Sequence, residues 1–122
     1  DFMSRLCEFI GLIDVSISGA LSALEYGYNR PLIVESIEGT EISYFKVKKI
    51  RHPIIERLIK ERYVSNDLEL SGNESMMLFG LNAVGKSSLM RACALNIIMA
   101  QSGMYVAAEY FELNPYYISS LV

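Results

Sequence analysis

The chain begins with a long segment in which apolar side chains recur at steps of three and four. This spacing places them on one stripe of an amphipathic helix over residues 1–28. Gly27 and Asn29 suit a turn and Pro31 cannot continue a helix, so we expect the helix to stop within residues 26–31. At ~1.5 Å per residue such a helix is about 40 Å long, which indicates a lever or connector that enters a domain. The stripe comprises Phe2, Leu6, Phe9, Ile10, Ile13, Ile17, Leu21, Leu24 and Tyr28.

Shorter patterns follow Pro31 and predict a mixture of strands and helices. The predicted strands and extended stretches are 32–34, 42–50, 68–70, 76–79, 105–106 and 111–113, with a turn at 39–40 and a loop over 62–67. The predicted helices are 54–59 and 88–101. The second helix is apolar nearly all round, so we expect it to be covered on most sides beside the central sheet of an α/β domain.

A cluster of basic residues lies around the predicted strand 42–50, at Lys46, Lys48, Lys49 and Arg51. It could be a patch that binds nucleic acid. We favour a solvated strand edge, because lysines on edge strands also block aggregation.

Composition narrows the class of protein. The chain has 122 residues, of which 52% are hydrophobic and 20% are charged, so we expect one domain at most with a sizeable core, and not a disordered chain. The formal net charge of −3 argues against a whole-domain electrostatic grip on nucleic acid. Because the sequence opens on Asp1 and not on Met, we expect a piece of a longer protein.

Cysteine and histidine usage suggests a reducing compartment and gives no His-rich metal site. Cys7 and Cys93 lie far apart in apolar surroundings, which favours buried free thiols. The single histidine, His52, is expected to form structural hydrogen bonds at a strand-to-helix junction. No secretory signal is visible. The apolar run 92–100 is shorter than the ~20 residues that cross a bilayer, so a buried helix is the better interpretation.

One motif carries chemistry. The run Gly80-Leu81-Asn82-Ala83-Val84-Gly85-Lys86-Ser87-Ser88 fits G-x-x-x-x-G-K-[ST], the phosphate-binding P-loop. Its glycines let the backbone wrap a phosphate, and its N–H groups and the next helix N-terminus face the anion. Lys86 adds charge at the β- and γ-phosphates, and the Ser87 hydroxyl can ligate Mg²⁺. A predicted strand leads in and a predicted helix leads out, as the motif requires. The alternative is an ordinary glycine-rich turn.

Hydrolysis needs further residues that usually follow the P-loop, namely an acid that holds Mg²⁺ and a group that positions water. After Ser87 the only acids are Glu109 and Glu112, and neither ends an apolar strand. We therefore expect this piece to bind nucleotide weakly at best and to hydrolyse it negligibly.

Four ordered segments together resemble the start of the ATPase domain of the MutS family of DNA mismatch repair proteins. The P-loop run is similar to the family's G-P-N-M-G-G-K-S-T. The other segments are residues 51–56, similar to R-H-P-hydrophobic-hydrophobic-E; residues 63–67, similar to F-V-P-N-D; and residues 100–109, similar to A-Q-I-G-S-F-V-P-A-E. The resemblance covers essentially the whole chain and implies an incomplete α/β P-loop NTPase core of the ABC type, preceded by a long helix.

The resemblance also implies roles for individual residues, with ATP and Mg²⁺ as cofactors. Tyr63 would stack on adenine, the backbone of Val64 would bond the adenine edge, and Asn82 would lie near the γ-phosphate. Lys86 would be the catalytic residue and Ser87 the Mg²⁺ ligand. The implied nucleotide-binding set is Tyr63, Val64, Gly80, Asn82, Ala83, Val84, Gly85, Lys86, Ser87 and Ser88.

At the level of the whole protein, the resemblance implies that residues 1–28 end a lever helix and residues 29–122 begin the ATPase domain. It implies an ATPase that couples ATP binding and hydrolysis to clamp movement on mismatched double-stranded DNA, with dimerisation through the ATPase domain. The expected location is intracellular, whether cytoplasmic, nuclear or organellar, with no membrane partner.

The loop also departs from the family pattern. Leu81 replaces proline, Ala83 replaces methionine and Val84 replaces a glycine, and a valine there resists positive φ. Such variants are more typical of the divergent forms in giant viruses and some organelles. Two alternatives stay open: an ATPase of another P-loop class, of the chromosome-organising or transporter type, and a scaffold that binds nucleotide without turnover.

Overall fold

The computed structural model describes residues 1–34, 44–72, 74–82 and 84–116. Over these residues the chain is mixed α/β, with a four-stranded sheet and a long N-terminal helix, as predicted. The elements are α1 Phe2–Tyr26, β1 Leu32–Ile33, β2 Tyr44–Ile50, α2 Ile55–Leu58, β3 Asn66–Ser71, α3 Lys86–Gln101 and β4 Tyr110–Leu113. The predicted turn at 39–40 lies outside the described residues.

The strand order in the sheet is β1-β4-β2-β3. β4 pairs parallel with β1 and antiparallel with β2, and β2 also pairs antiparallel with β3. β2 is therefore an interior strand, and the expectation that Lys46 and Lys48 mark a strand edge is wrong. The reason is that β4, from much later in the chain, pairs along the side of β2 that the local sequence leaves open. Lys46 instead lies on the solvated face, where its ammonium is 2.8 Å from the Glu69 carboxylate.

The core lies on the other face of the sheet. Phe45, Val47 and Ile50 of β2 and Phe111 and Leu113 of β4 are at most 3% exposed. The alternation along β2 follows the two-residue period of a strand with one buried face. The rings of Phe45 and Phe111 meet edge to face with centroids 5.4 Å apart. Helix α3 and the segment Val106–Ala108 pack on this face of the sheet, and Ala100, Val106 and Ala108 are fully buried there.

The end of β2 contains an irregularity in its pairing with β3, between Val47 and Ile50. Lys49 in this stretch has φ 53°, a left-handed conformation that a lysine seldom adopts. The Asp67 carboxylate accepts a hydrogen bond of 2.8 Å from the Lys49 backbone N–H. Asp67 thereby satisfies the amide that the bulge removes from the ladder.

Helix α1 forms as predicted and ends at Gly27, which has φ 63° and ψ 45° and acts as a left-handed C-cap. None of its residues is buried. By length and composition alone α1 could cross a membrane, criteria that core helices of soluble proteins and signal sequences also meet.

Three expectations about packing are wrong. Residues 76–79 are not a strand, because they find no pairing strand among the described residues. Helix α3 is not covered on most sides, because only Ala92, Asn96 and Ala100, along one face, are fully buried, and Met90, Arg91 and Ile98 are exposed. Both cysteines are free, as expected, but Cys7 is exposed on α1, and Cys93 is half-buried.

Candidate functional site

The loop before α3 has the backbone conformation that its glycines permit. Gly85 has φ 91° and forms the N-cap position of α3. The φ of Val84 is not positive. Among the described residues other than glycine, only Lys49 has a positive φ. The valine is thus accommodated because the left-handed turn falls on the next residue. Ala83 lies outside the described residues.

The N-terminus of α3 is open toward this loop. Its first helical hydrogen bond runs from the Leu89 N–H to the Gly85 carbonyl, at 2.9 Å, and no side chain caps the helix. The amides of the first helical turn therefore have no helical acceptor. Free amides and the positive end of the helix dipole suit a phosphate group at this position.

The Lys86 ammonium is held by the loop itself. Lys86 Nζ donates to the carbonyl oxygens of Gly80, at 2.7 Å, and Leu81, at 2.6 Å. A positive charge is therefore fixed between the start of the loop and the start of α3. Asn82 and Ser87 are exposed and Ser88 is half-buried. The structure thus brings Gly80, Gly85 and Lys86 together, with Ser87 next to them in the chain.

Tyr63 lies near Glu56 and Cys93, the latter on α3. Burial raises the pKa of the Tyr63 phenol, a hydrogen bond with the His52 backbone lowers it, and the nearby Glu56 and Cys93 raise it further. Cys93 lies seven residues after Lys86, which is ~10.5 Å along the helix axis. Tyr63 is half-buried, whereas Val64 is 79% exposed.

His52 lies at the junction between β2 and α2, as the sequence predicted. Its side chain is 5% exposed, and its Nδ1 accepts hydrogen bonds from the Ile54 and Ile55 amides at 3.3 and 3.2 Å. These bonds satisfy free amides at the start of α2. Burial lowers the pKa of His52, which keeps Nδ1 available as an acceptor.

Asn96, which the sequence interpretation did not single out, is fully buried on α3. Its Nδ2 donates to the carbonyls of Arg51, at 3.0 Å, and Ala92, at 2.8 Å, and its Oδ1 accepts from the Ala107 amide at 2.7 Å. The signal was present in the sequence as an amide side chain in the middle of an apolar helix. Its partners could not be predicted, because Arg51 and Ala107 are distant in the chain.

Two arginines bind the C-terminal end of α1. Arg51 Nη2 donates to the carbonyls of Tyr26, at 3.2 Å, and Gly27, at 2.9 Å. The Arg57 guanidinium lies 3.6 Å from the Tyr26 ring centroid and donates to the Tyr28 hydroxyl at 2.8 Å. Because the Arg51 carbonyl is bound by Asn96, a continuous set of contacts joins α3 to the end of α1.

Among the described residues, no three His, Cys, Asp or Glu side chains gather in a way that could hold a metal ion.

Comparison with known proteins finds relatives that are named as DNA mismatch repair proteins of the MutS type. No family model matches the chain. It is 36% identical over 112 residues to the mitochondrial DNA mismatch repair protein mutS homolog of Sarcophyton glaucum, over 91% of this chain and 11% of that protein. It is 38% identical over 115 residues to the DNA mismatch repair protein MutS of Carboxydothermus hydrogenoformans, over 92% and 13% respectively.

A third relative is the putative DNA mismatch repair protein mutS homolog L359 of Acanthamoeba polyphaga mimivirus, 33% identical over 149 residues and matching 93% of this chain and 13% of the viral protein. The chain spans 11–13% of the length of these relatives.

Proposed function

Since this chain belongs to the MutS family and corresponds to a segment of its longer members, we propose that it supplies the ATP-binding part of a MutS-type ATPase. The fold it would contribute is the first part of a P-loop NTPase core, preceded by the end of a lever helix. In the complete protein, ATP binding and hydrolysis would drive clamp movement on mismatched DNA. Dimerisation through the ATPase domain belongs to the same proposal.

The observation that carries the proposal is the Lys86 ammonium at the start of α3, within the loop Gly80–Gly85. A phosphate chain needs a positive charge, free amides and a backbone that can approach closely, and this loop supplies all three. Lys86 would bind the β- and γ-phosphates, and Ser87 would hold Mg²⁺, which neutralises phosphate charge when bound. Asn82, Ala83, Val84 and Ser88 would complete the wall of the loop.

The adenine would be bound at Tyr63 and Val64. A half-buried tyrosine can stack its ring on a flat base, and the backbone of the exposed Val64 would bond the base edge. Cys93, about two turns along the helix that Lys86 begins, lies near enough to Tyr63 to raise the pKa of its phenol. This separation suits a ligand with a base at one end and phosphates at the other.

Turnover requires more than this chain supplies. Of the acids after Ser87, Glu112 accepts a hydrogen bond from the Tyr110 hydroxyl, and Glu109 follows a buried turn and not a strand. We therefore expect the 122-residue chain to bind nucleotide without appreciable hydrolysis. Contact with DNA would involve other parts of the complete protein, since this segment is acidic overall.

The test measures binding of MgATP to the full chain by titration calorimetry. Lys86→Ala should abolish detectable binding, because the loop loses its charge. Tyr63→Ala should weaken binding by ~1–2 kcal/mol through lost stacking. Tyr44→Ala, on the far strand β2, serves as the matched control and should bind as the parent does. Equal affinity in the parent and Lys86→Ala would refute the site.

A further inference from the structure

Helix α1 meets the rest of the described chain at one glycine. None of its residues is buried, so no buried packing along its length fixes its direction. Gly27, in a left-handed conformation, separates α1 from the segment that follows. In that segment Tyr28 is 7% exposed, and Asn29 forms a β-bridge with Val106. Gly27 therefore lies between a segment that is fixed to the core and a helix that is not.

Two arginines bind on both sides of this glycine. Arg51 Nη2 donates to the carbonyls of Tyr26, at 3.2 Å, and Gly27, at 2.9 Å, which belong to the two peptide planes that flank the glycine Cα. Carbonyls at the end of a helix lack helical donors, so they suit a guanidinium. The Arg57 guanidinium lies 3.6 Å from the Tyr26 ring centroid and donates to the Tyr28 hydroxyl at 2.8 Å. Arg57 thus spans the glycine from one side to the other.

Arg51 is itself held in place by the core. Its backbone N–H donates to the Ala107 carbonyl at 2.8 Å, and its carbonyl accepts from Asn96 Nδ2 of α3 at 3.0 Å. Its Nε lies 2.9 Å from a carboxylate oxygen of Glu56, whose side chain is 12% exposed. The guanidinium that binds the end of α1 therefore has a fixed position relative to α3.

We propose that Arg51 and Arg57, here called the arginine pair, hold Gly27 in one conformation and thereby set the direction of α1 relative to α3. Arg51 is a positioning residue, because it acts on α1 through the carbonyls at the helix end. Without the arginine pair Gly27 would act as a hinge, since glycine has access to many dihedral angles. This role goes beyond the proposed ATP-binding function, and its test needs no nucleotide.

The experiment measures the direction of α1 in the full chain by single-molecule FRET, at concentrations too low for two copies to associate. One dye is attached to Cys7, which is exposed on α1 about 28 Å along the helix axis from Tyr26. The other is attached to Lys48→Cys, at an exposed position of β2, and Cys93→Ala removes the second native thiol. Donor lifetimes report the spread of distances even when the helix moves quickly, so they distinguish a hinge from a fixed helix.

The parent should give one narrow distribution of distances. Arg51→Lys places a single nitrogen where the planar guanidinium binds both Glu56 and the two carbonyls. It should raise the population of other α1 directions by about tenfold, the effect of losing one hydrogen bond to a charged group. Arg57→Ala should raise that population by about two- to fivefold through loss of the cation–π contact. Lys60→Ala, at another exposed cation, is the matched control and should leave the distribution unchanged.

Each result supports or overturns the role of the arginine pair. Circular dichroism checks that each variant keeps its helix content, and the exposed Arg57 provides the test if Arg51→Lys does not fold. If both variants give the distribution of the parent, the proposal is wrong. A broad distribution in the parent, or an equal change in Lys60→Ala, would also overturn it. The ATP-binding site is tested separately by Lys86→Ala, so either proposal can fail while the other stands.

Discussion

His52 shows how a single buried side chain links pH to stability. Its Nδ1 holds two amides at the start of α2, which it can do only while that nitrogen is unprotonated. Burial lowers the pKa of His52, the nearby Arg91 lowers it further, and Glu56 opposes both. The folded chain therefore binds a proton at this site less readily than the unfolded chain does.

Since the folded pKa lies below the unfolded value of about 6.5, the unfolded state takes up the extra proton as the pH falls below that value. The stabilisation by neutral His52 is complete above that value and is lost as the pH decreases through and below it. Asn is a good cap that does not titrate, so His52→Asn should lose less stability between about pH 7.5 and pH 5.5 than the parent. Urea unfolding at the two pH values measures this. An equal loss in both proteins would contradict the role of His52.

At the scale of elements, Asn96 fixes α3 to the end of β2 and to the segment before β4. Its removal leaves the Ala107 amide and the Arg51 carbonyl without their partner in a buried position. A buried group left unsatisfied costs about 1–3 kcal/mol, so Asn96→Ala should lower the free energy of unfolding by about 2–4 kcal/mol. Chemical denaturation measures this value.

Arg91→Ala, at an exposed position on the same helix, is the control and should change stability by less than about 0.5 kcal/mol. A loss below about 1 kcal/mol for Asn96→Ala would mean that water or a shift of α3 replaces the amide. The set of contacts from Asn96 through Arg51 to the end of α1 would then not hold the helix in place.

The whole molecule exposes more surface than a compact domain of its mass. Its accessible area is 9510 Å², whereas a folded monomer of 13.7 kDa has about 6,600 Å². Much of the excess is apolar: Leu12 and Leu24 of α1 are 69% and 83% exposed, and Phe79 before the loop is 83% exposed. Exposed apolar side chains in this number favour association.

The chain on its own should therefore self-associate through α1. Size-exclusion chromatography with light scattering should give a mass above 13.7 kDa, and the double variant Leu12→Gln/Leu24→Gln should shift it toward the monomer. Gln preserves helix propensity, and Ser18→Gln on the same helix is the control without loss of apolar area. A monomeric parent would contradict this expectation. Co-sedimentation with phosphatidylcholine vesicles would show instead that α1 binds a membrane.

Local patterns in the sequence determined most of the elements and the composition of the candidate site. The step of three and four gave α1, the alternation gave β2, and Gly27 gave the helix end, because each depends on neighbours within a few residues. The G-x-x-x-x-G-K-[ST] spacing predicts Lys86 and Ser87 as site residues, and the structural role of His52 was predicted from its place at a strand-to-helix junction.

Only the tertiary structure decided what those elements pack against. β4 inserts between β1 and β2, so Lys46 lies on an interior strand. Residues 76–79 find no partner strand among the described residues. The fully buried residues of α3 lie along one face. The tertiary structure also joined Asn96 to Arg51. Each of these features depends on where distant segments of the chain meet. The local period of a sequence does not encode that meeting.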